Sequence, residues 1–70
     1  MKDLTRLNVN LNQETADALK FHARQRGISY TEAIRQAIAV YSFVLTEQQI
    51  GNTVQVLDQN GKPDRNLVIL

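Results

Sequence analysis

Seventy residues with a formal net charge of +1 leave room for one domain at most and give no pronounced basic excess. A core this small rarely yields more than about 3–5 kcal/mol unless disulfides, a structural metal or oligomerisation support it. With no cysteine and one histidine, disulfides, thiolate sites and imidazole zinc clusters are excluded, which leaves oligomerisation.

The chain starts Met1-Lys2-Asp3-Leu4-Thr5-Arg6 with no long apolar stretch behind it, so no signal peptide is expected. The longest apolar run, Ala37–Tyr41 continued after Ser42 by Phe43–Leu45, is well short of the ~20 residues that cross a bilayer. No membrane association is expected, and the lack of cysteine suits a reducing cytoplasm. Charge is unevenly placed. Residues 1–45 carry Lys2, Arg6, Lys20, Arg24, Arg26 and Arg35 against Asp3, Glu14, Asp17 and Glu32, while the acidic balance falls in the remainder.

Arg6-Leu7-Asn8-Val9-Asn10-Leu11 alternates strictly between polar and apolar, the period of a half-buried strand. Leu7, Val9 and Leu11 fall on one face and Arg6, Asn8 and Asn10 on the other. Asparagine is a poor strand former, so two on one face point to a surface kept for hydrogen bonding.

Asn12 reads as a helix N-cap with Glu14 in the first turn, and a first helix is expected from Gln13 to Arg26. Its apolar face is Ala16, Leu19 and Ala23, flanked by Thr15 and His22, and Gly27 stops it. His22 reads as a buried or interfacial histidine with one hydrogen-bond partner rather than a ligand. Ser29-Tyr30-Thr31-Glu32 matches a capping box, with Ile28 placed as a hydrophobic staple. A second helix is expected from Tyr30 to about Gln48. Ile34, Ala37, Ile38, Tyr41, Val44 and Leu45 follow helical spacing, and Ala33, Val40 and Phe43 widen the stripe almost around the helix. A helix apolar on most sides is buried on most sides, which a monomer of this size cannot achieve and a two-fold dimer can.

Beyond Gly51 the pattern turns strand-like at Thr53–Leu57 and at Asn66–Leu70. Asp58–Asp64 between them is rich in turn formers, Asn60-Gly61 foremost, so a C-terminal hairpin is expected. Phe21 and Phe43 read as core or packing residues beneath it. The division is residues 1–49, for binding and dimerisation, and residues 50–70, a hairpin extension.

Catalytic constellations are absent. Three widely spaced glycines make no phosphate loop, and neither serine has a histidine or cysteine pattern near it. No enzyme activity, cofactor or metal is expected. The lone strand poses the sharper question, because its main-chain donors and acceptors need partners. It pairs either with the same strand of a second chain or with the hairpin of its own chain. In the first case a two-stranded ribbon forms, and such a ribbon fits the major groove of B-DNA. Arginine reads guanine and asparagine reads adenine through bidentate hydrogen bonds, each pair discriminating by about 1–3 kcal/mol. The start of the second helix at Ser29, Tyr30 and Thr31 offers free amides and hydroxyls to a phosphate. Phosphate contacts fix register while base contacts specify sequence.

The run Arg6–Leu11, the caps at Asn12 and Ser29, Leu19 with Ala23, Gly27, and Ser29-Tyr-Thr-Glu-Ala-Ile-Arg-Gln-Ala-Ile together resemble the ribbon–helix–helix family of bacterial, plasmid and phage regulators. The resemblance covers roughly residues 4–45, departing where His22 and Thr15 replace aliphatic core residues. It implies a mainly α fold with short β structure, as an intertwined homodimer with an intermolecular antiparallel ribbon. It places base reading on Arg6, Asn8 and Asn10, and phosphate anchoring on Ser29 and Tyr30, with Thr31 adding a hydroxyl and Lys2 a short basic arm. Leu7, Val9, Leu11, Leu19, Ile34, Ala37, Ile38 and Tyr41 are the expected dimer core. Three functions fit: a sequence-specific repressor binding double-stranded DNA, an antitoxin whose C-terminal segment masks a toxin protein, or, if the first strand pairs with its own hairpin, a monomeric α+β interaction module.

Overall fold

A computed structural model describes residues 5–70. The chain forms two helices and a two-stranded antiparallel sheet: α1 (Gln13–Arg26), α2 (Tyr30–Gln49), β1 (Val54–Leu57) and β2 (Pro63–Leu67). It divides into two compact units, Met1–Ala33 and Ile34–Leu70, the boundary falling one turn into α2.

In the first unit α1 has the bounds its caps dictate. Asn12 is extended (φ −70°, ψ 167°), and its Oδ1 accepts the Thr15 amide at 2.8 Å. One of the four amides that a helix start leaves unpaired is thereby satisfied. At the other end Gly27 adopts φ 66°, its amide donating to the Arg24 carbonyl at 3.1 Å while Ile28 donates to Ala23 at 3.0 Å. These two bonds make a Schellman motif, which needs a left-handed residue where glycine alone escapes a Cβ penalty. Of the expected apolar face, Ala23 is buried and Ala16 and Leu19 are half-buried. His22 is exposed, not buried, and its ring meets the Phe21 ring edge-to-face at 5.2 Å. Phe21 is itself exposed, because two residues of helix carry it to nearly the opposite side from Ala23.

In the second unit α2 continues to Gln49, and its end repeats the device that closes α1. Gly51 takes φ 90°, its amide donating to Gln48 at 3.1 Å, and Asn52 donates to the Glu47 carbonyl at 2.9 Å. The Asn52 side chain adds a 3.0 Å bond to the Glu47 carboxylate. Val44 is the buried residue of this unit, with Leu45, Gln48, Val54 and Ile69 half-buried. Phe43, expected beneath the sheet, is exposed; it lies about 100° around the helix from Val44.

The strands pair Val54 with Leu67, Gln55 with Asn66, Val56 with Arg65 and Leu57 with Pro63. The register shift between Val56 and Leu57 leaves Asp64 as the extra residue of a bulge on β2. Asp58 organises the turn. Its carbonyl accepts from Gly61 at 2.9 Å, and its carboxylate accepts the amides of Asn60 at 2.9 Å and Lys62 at 3.0 Å. Gly61 alone has positive φ (82°), so Asn60-Gly61 is not the mirror-image two-residue turn that the dipeptide suggests.

The second strand differs from the expectation of Asn66–Leu70. It begins at Pro63 because the turn closes at Lys62, and it ends at Leu67 because β1 has nothing left to pair with residues 68–70. The chain before Val54 is consumed by Gly51 and Asn52 closing α2. Ile69 instead bonds to the Gln48 side chain, accepting from Nε2 at 3.1 Å and donating to Oε1 at 2.7 Å.

Candidate nucleic-acid interface

The candidate residues fall into two sets, both within the first unit. Arg6, Asn8 and Asn10 lie in the segment that runs into the Asn12 cap, and all three are exposed. This segment carries no strand of its own, and the sheet holds only β1 and β2 among the described residues. Pairing with the hairpin of the same chain is therefore not how its main chain is satisfied here. Its apolar members are exposed as well: Leu7 by 74%, Val9 by 59% and Leu11 by 41%. Both faces of this alternating segment are therefore exposed in the single chain.

The second set is the start of α2. After the Schellman turn at Gly27 and Ile28, Ser29 takes the N-cap of α2. Ser29 Oγ accepts the Glu32 amide at 3.1 Å, and the Ser29 carbonyl accepts the first intrahelical bond from Ala33 at 3.0 Å. Among the described residues, the amides of Tyr30 and Thr31 are left without a protein acceptor, at the positive end of the helix dipole. Ser29, Tyr30 and Thr31 are exposed. Because Ser29 Oγ spends a lone pair on the cap, its hydroxyl proton stays available to a donor role. Arg24 and Arg26, in the last turn of α1, place exposed positive charge shortly before this helix start. Lys2 lies outside the described residues.

Most of the expected dimer core is exposed in one chain. Ala37, Ile38 and Tyr41 are exposed along with Leu7, Val9 and Leu11, while Leu19 and Ile34 are half-buried. Sequence reasoning did not single out Gln48, whose two hydrogen bonds to Ile69 tie the tail to α2 in the second unit. Nothing in a glutamine near a helix end announces such a role. Gly51-Asn52 did carry a signal, since glycine after the last periodic residue is a common helix stop. No cluster of histidine, cysteine, aspartate or glutamate able to hold a metal occurs among the described residues. No helix among them is long and apolar enough to cross a membrane.

A family model described as "Ribbon-helix-helix protein, copG family" matches residues 5–41, just over half of the 70-residue chain. The match spans the exposed segment, the whole of α1, the Gly27 turn and α2 as far as Tyr41. No curated protein and no solved structure matches. The chain belongs to the copG family of ribbon–helix–helix proteins, a family of dimeric DNA-binding proteins that includes transcription regulators and antitoxins.

Proposed function

We propose that this protein is a sequence-specific transcription regulator, a repressor acting as an intertwined homodimer in the cytoplasm. The observation that carries the reading is the exposed alternation of Arg6–Leu11 directly ahead of the Asn12 cap. Antiparallel pairing of two such segments turns Leu7, Val9 and Leu11 onto the helices, with Leu19, Ile34, Ala37, Ile38 and Tyr41 completing the shared core. It turns two copies each of Arg6, Asn8 and Asn10 into the major groove. Ser29, Tyr30 and Thr31 hold backbone phosphates, and Lys2 adds a basic arm. Repression follows from occlusion of the operator.

What supports this reading over the antitoxin one is the tail. Segments that mask a partner and fold only on binding are unstructured alone. Residues 54–67 instead form a paired sheet, with Ile69 tied back to Gln48.

The test is selection of bound duplexes from a random pool at near-physiological salt, where non-specific phosphate binding is suppressed. Enrichment of a short palindromic or repeated motif is the expected result. Asn8→Ala or Asn10→Ala then loses binding to that motif while the dimer stays folded. A variant that binds as tightly as the parent would remove the ribbon from the reading surface.

A further inference from the structure

The two edges of the C-terminal sheet are chemically unlike. The outer edge of β2 starts with Pro63, which has no N–H to offer, carries the charges of Asp64 and Arg65, and is distorted by the bulge at Asp64. Proline, charge and bulges are the devices that keep an edge strand from recruiting another. The outer edge of β1 has none of them. Thr53-Val54-Gln55-Val56-Leu57 contains no charged residue, no proline and no extra residue.

Which groups that edge offers follows from the turn. The Asp58 amide donates across the pair to the Lys62 carbonyl at 2.8 Å, so Asp58 faces β2. Main-chain groups alternate along a strand, which turns Val56 and Val54 toward β2 and turns Leu57, Gln55 and Thr53 outward. The unshifted β1 side of the bulge preserves that alternation. Among the described residues, the outward main-chain groups of Gln55 and Leu57 meet no partner beyond the sheet.

We propose that the free edge of β1 pairs antiparallel with the β1 edge of a second copy of this chain, giving a four-stranded sheet in the order β2-β1-β1-β2. Centred on Gln55, the pairing sets the Gln55 amide of each copy on the Gln55 carbonyl of the other, and Thr53 opposite Leu57. Val54 then falls beside Val56, apolar against apolar, and the two glutamine side chains lie opposite each other. Three features select a second copy as occupant. The edge needs another strand, because it offers alternating donors and acceptors. The segment is neutral, so two copies approach without like charges, whereas copies joined through β2 would bring Asp64 and Arg65 into the contact. An isolated two-stranded sheet is marginal in water, and pairing passes the three-strand threshold for independent stability. Pairing through this edge does not depend on DNA binding.

Amide exchange on the purified full-length protein tests it. The Gln55 and Leu57 amides are expected to exchange about tenfold or more slower than a random-coil amide. A mixture of isotope-labelled and unlabelled chains is expected to give intermolecular proton contacts between the two copies of β1. Gln55→Pro removes an outward N–H that the β1–β2 pair does not use, so it should abolish the protection of Leu57 and the intermolecular contacts while Val54 and Val56 stay protected. Random-coil exchange at Gln55 and Leu57 in the parent protein would overturn the proposal. So would protection accompanied only by contacts from residues 5–12 of the same chain. These two parent-protein measurements decide the matter even if the proline variant loses its sheet.

Discussion

The Gln48 side chain and the Ile69 main chain are joined by a closed pair of hydrogen bonds, Nε2 to the carbonyl at 3.1 Å and the amide to Oε1 at 2.7 Å. A primary amide has the donor and acceptor spacing of a peptide unit, so Gln48 stands in for a strand partner that β1 cannot supply. Both groups are part-buried, and each bond contributes about 1 kcal/mol. Gln48→Ala is expected to speed exchange of the Ile69 amide roughly tenfold or more. Gln48→Glu keeps an acceptor for the Ile69 amide but loses the donor to its carbonyl, and should fall between.

The two glycine stops make a matched pair. Beyond their own chain neighbours, neither Gly27 (φ 66°) nor Gly51 (φ 90°) has an atom within 4 Å of where a Cβ would sit, so substitution meets backbone strain rather than a clash. Gly27→Ala should cost about 1–2 kcal/mol. Gly51→Ala should cost more, because φ 90° lies farther from the left-handed region that alanine tolerates. Thermal unfolding of both variants at one protein concentration checks the order.

Removing a cap leaves the amide behind without its acceptor. Asn12→Ala strips the partner from the Thr15 amide and should destabilise by about 1 kcal/mol, while Asn12→Asp should be nearly neutral. Denaturant titration measures both. A loss confined to Asn12→Ala assigns the effect to the cap rather than to the segment before it.

Under the dimer reading, stability depends on protein concentration, since association favours the folded state by mass action. The melting temperature should rise with concentration in the parent. Val9→Lys and Ile38→Asp, which place charge on apolar sites exposed in one chain, should weaken association in sedimentation equilibrium and lower the melting temperature, leaving at most the pairing through β1. A variant that associates as tightly and melts as high as the parent would contradict the shared core.

Base and phosphate contacts leave different signatures. Arg6→Ala should reduce discrimination by about 1–3 kcal/mol per base read and alter the preferred sequence. Lys2→Ala should weaken all sequences alike and flatten the salt dependence of log K by about 0.9 for each phosphate charge no longer neutralised. Binding measured at several salt concentrations on the selected motif and on a scrambled duplex separates the two.

The helices were legible because their information is local. Asn12, Ser29 and Gly27 each act on amides or carbonyls within four residues, and α1 spans Gln13–Arg26 as its punctuation predicts. The alternation at Arg6–Leu11 was equally legible, yet one chain forms no strand there, because hydrogen bonds across a sheet require a second strand. The C-terminal sheet was legible too, but with its second strand misplaced. Residues 66–70 look more strand-like than 63–67, but the Asp58 turn fixes where pairing starts, and the Gly51 stop fixes where it ends. The Gln48–Ile69 bond spans 21 residues and has no periodic trace. Residue type and order drew out Arg6, Asn8, Asn10 and Ser29 as candidates, while the use of one helix-start amide by the Ser29 cap, with those of Tyr30 and Thr31 left over, became apparent only from the geometry.

The bare segment at residues 5–12 has a consequence for dose. Under the proposed reading, the recognition surface is divided between two identical chains and is assembled rather than carried, so in dilute solution the protein would hold the letters of the recognition element without the word. While monomers predominate, operator occupancy then rises with the square of their concentration, and a modest fall in synthesis releases the promoter more sharply than a one-chain binder would.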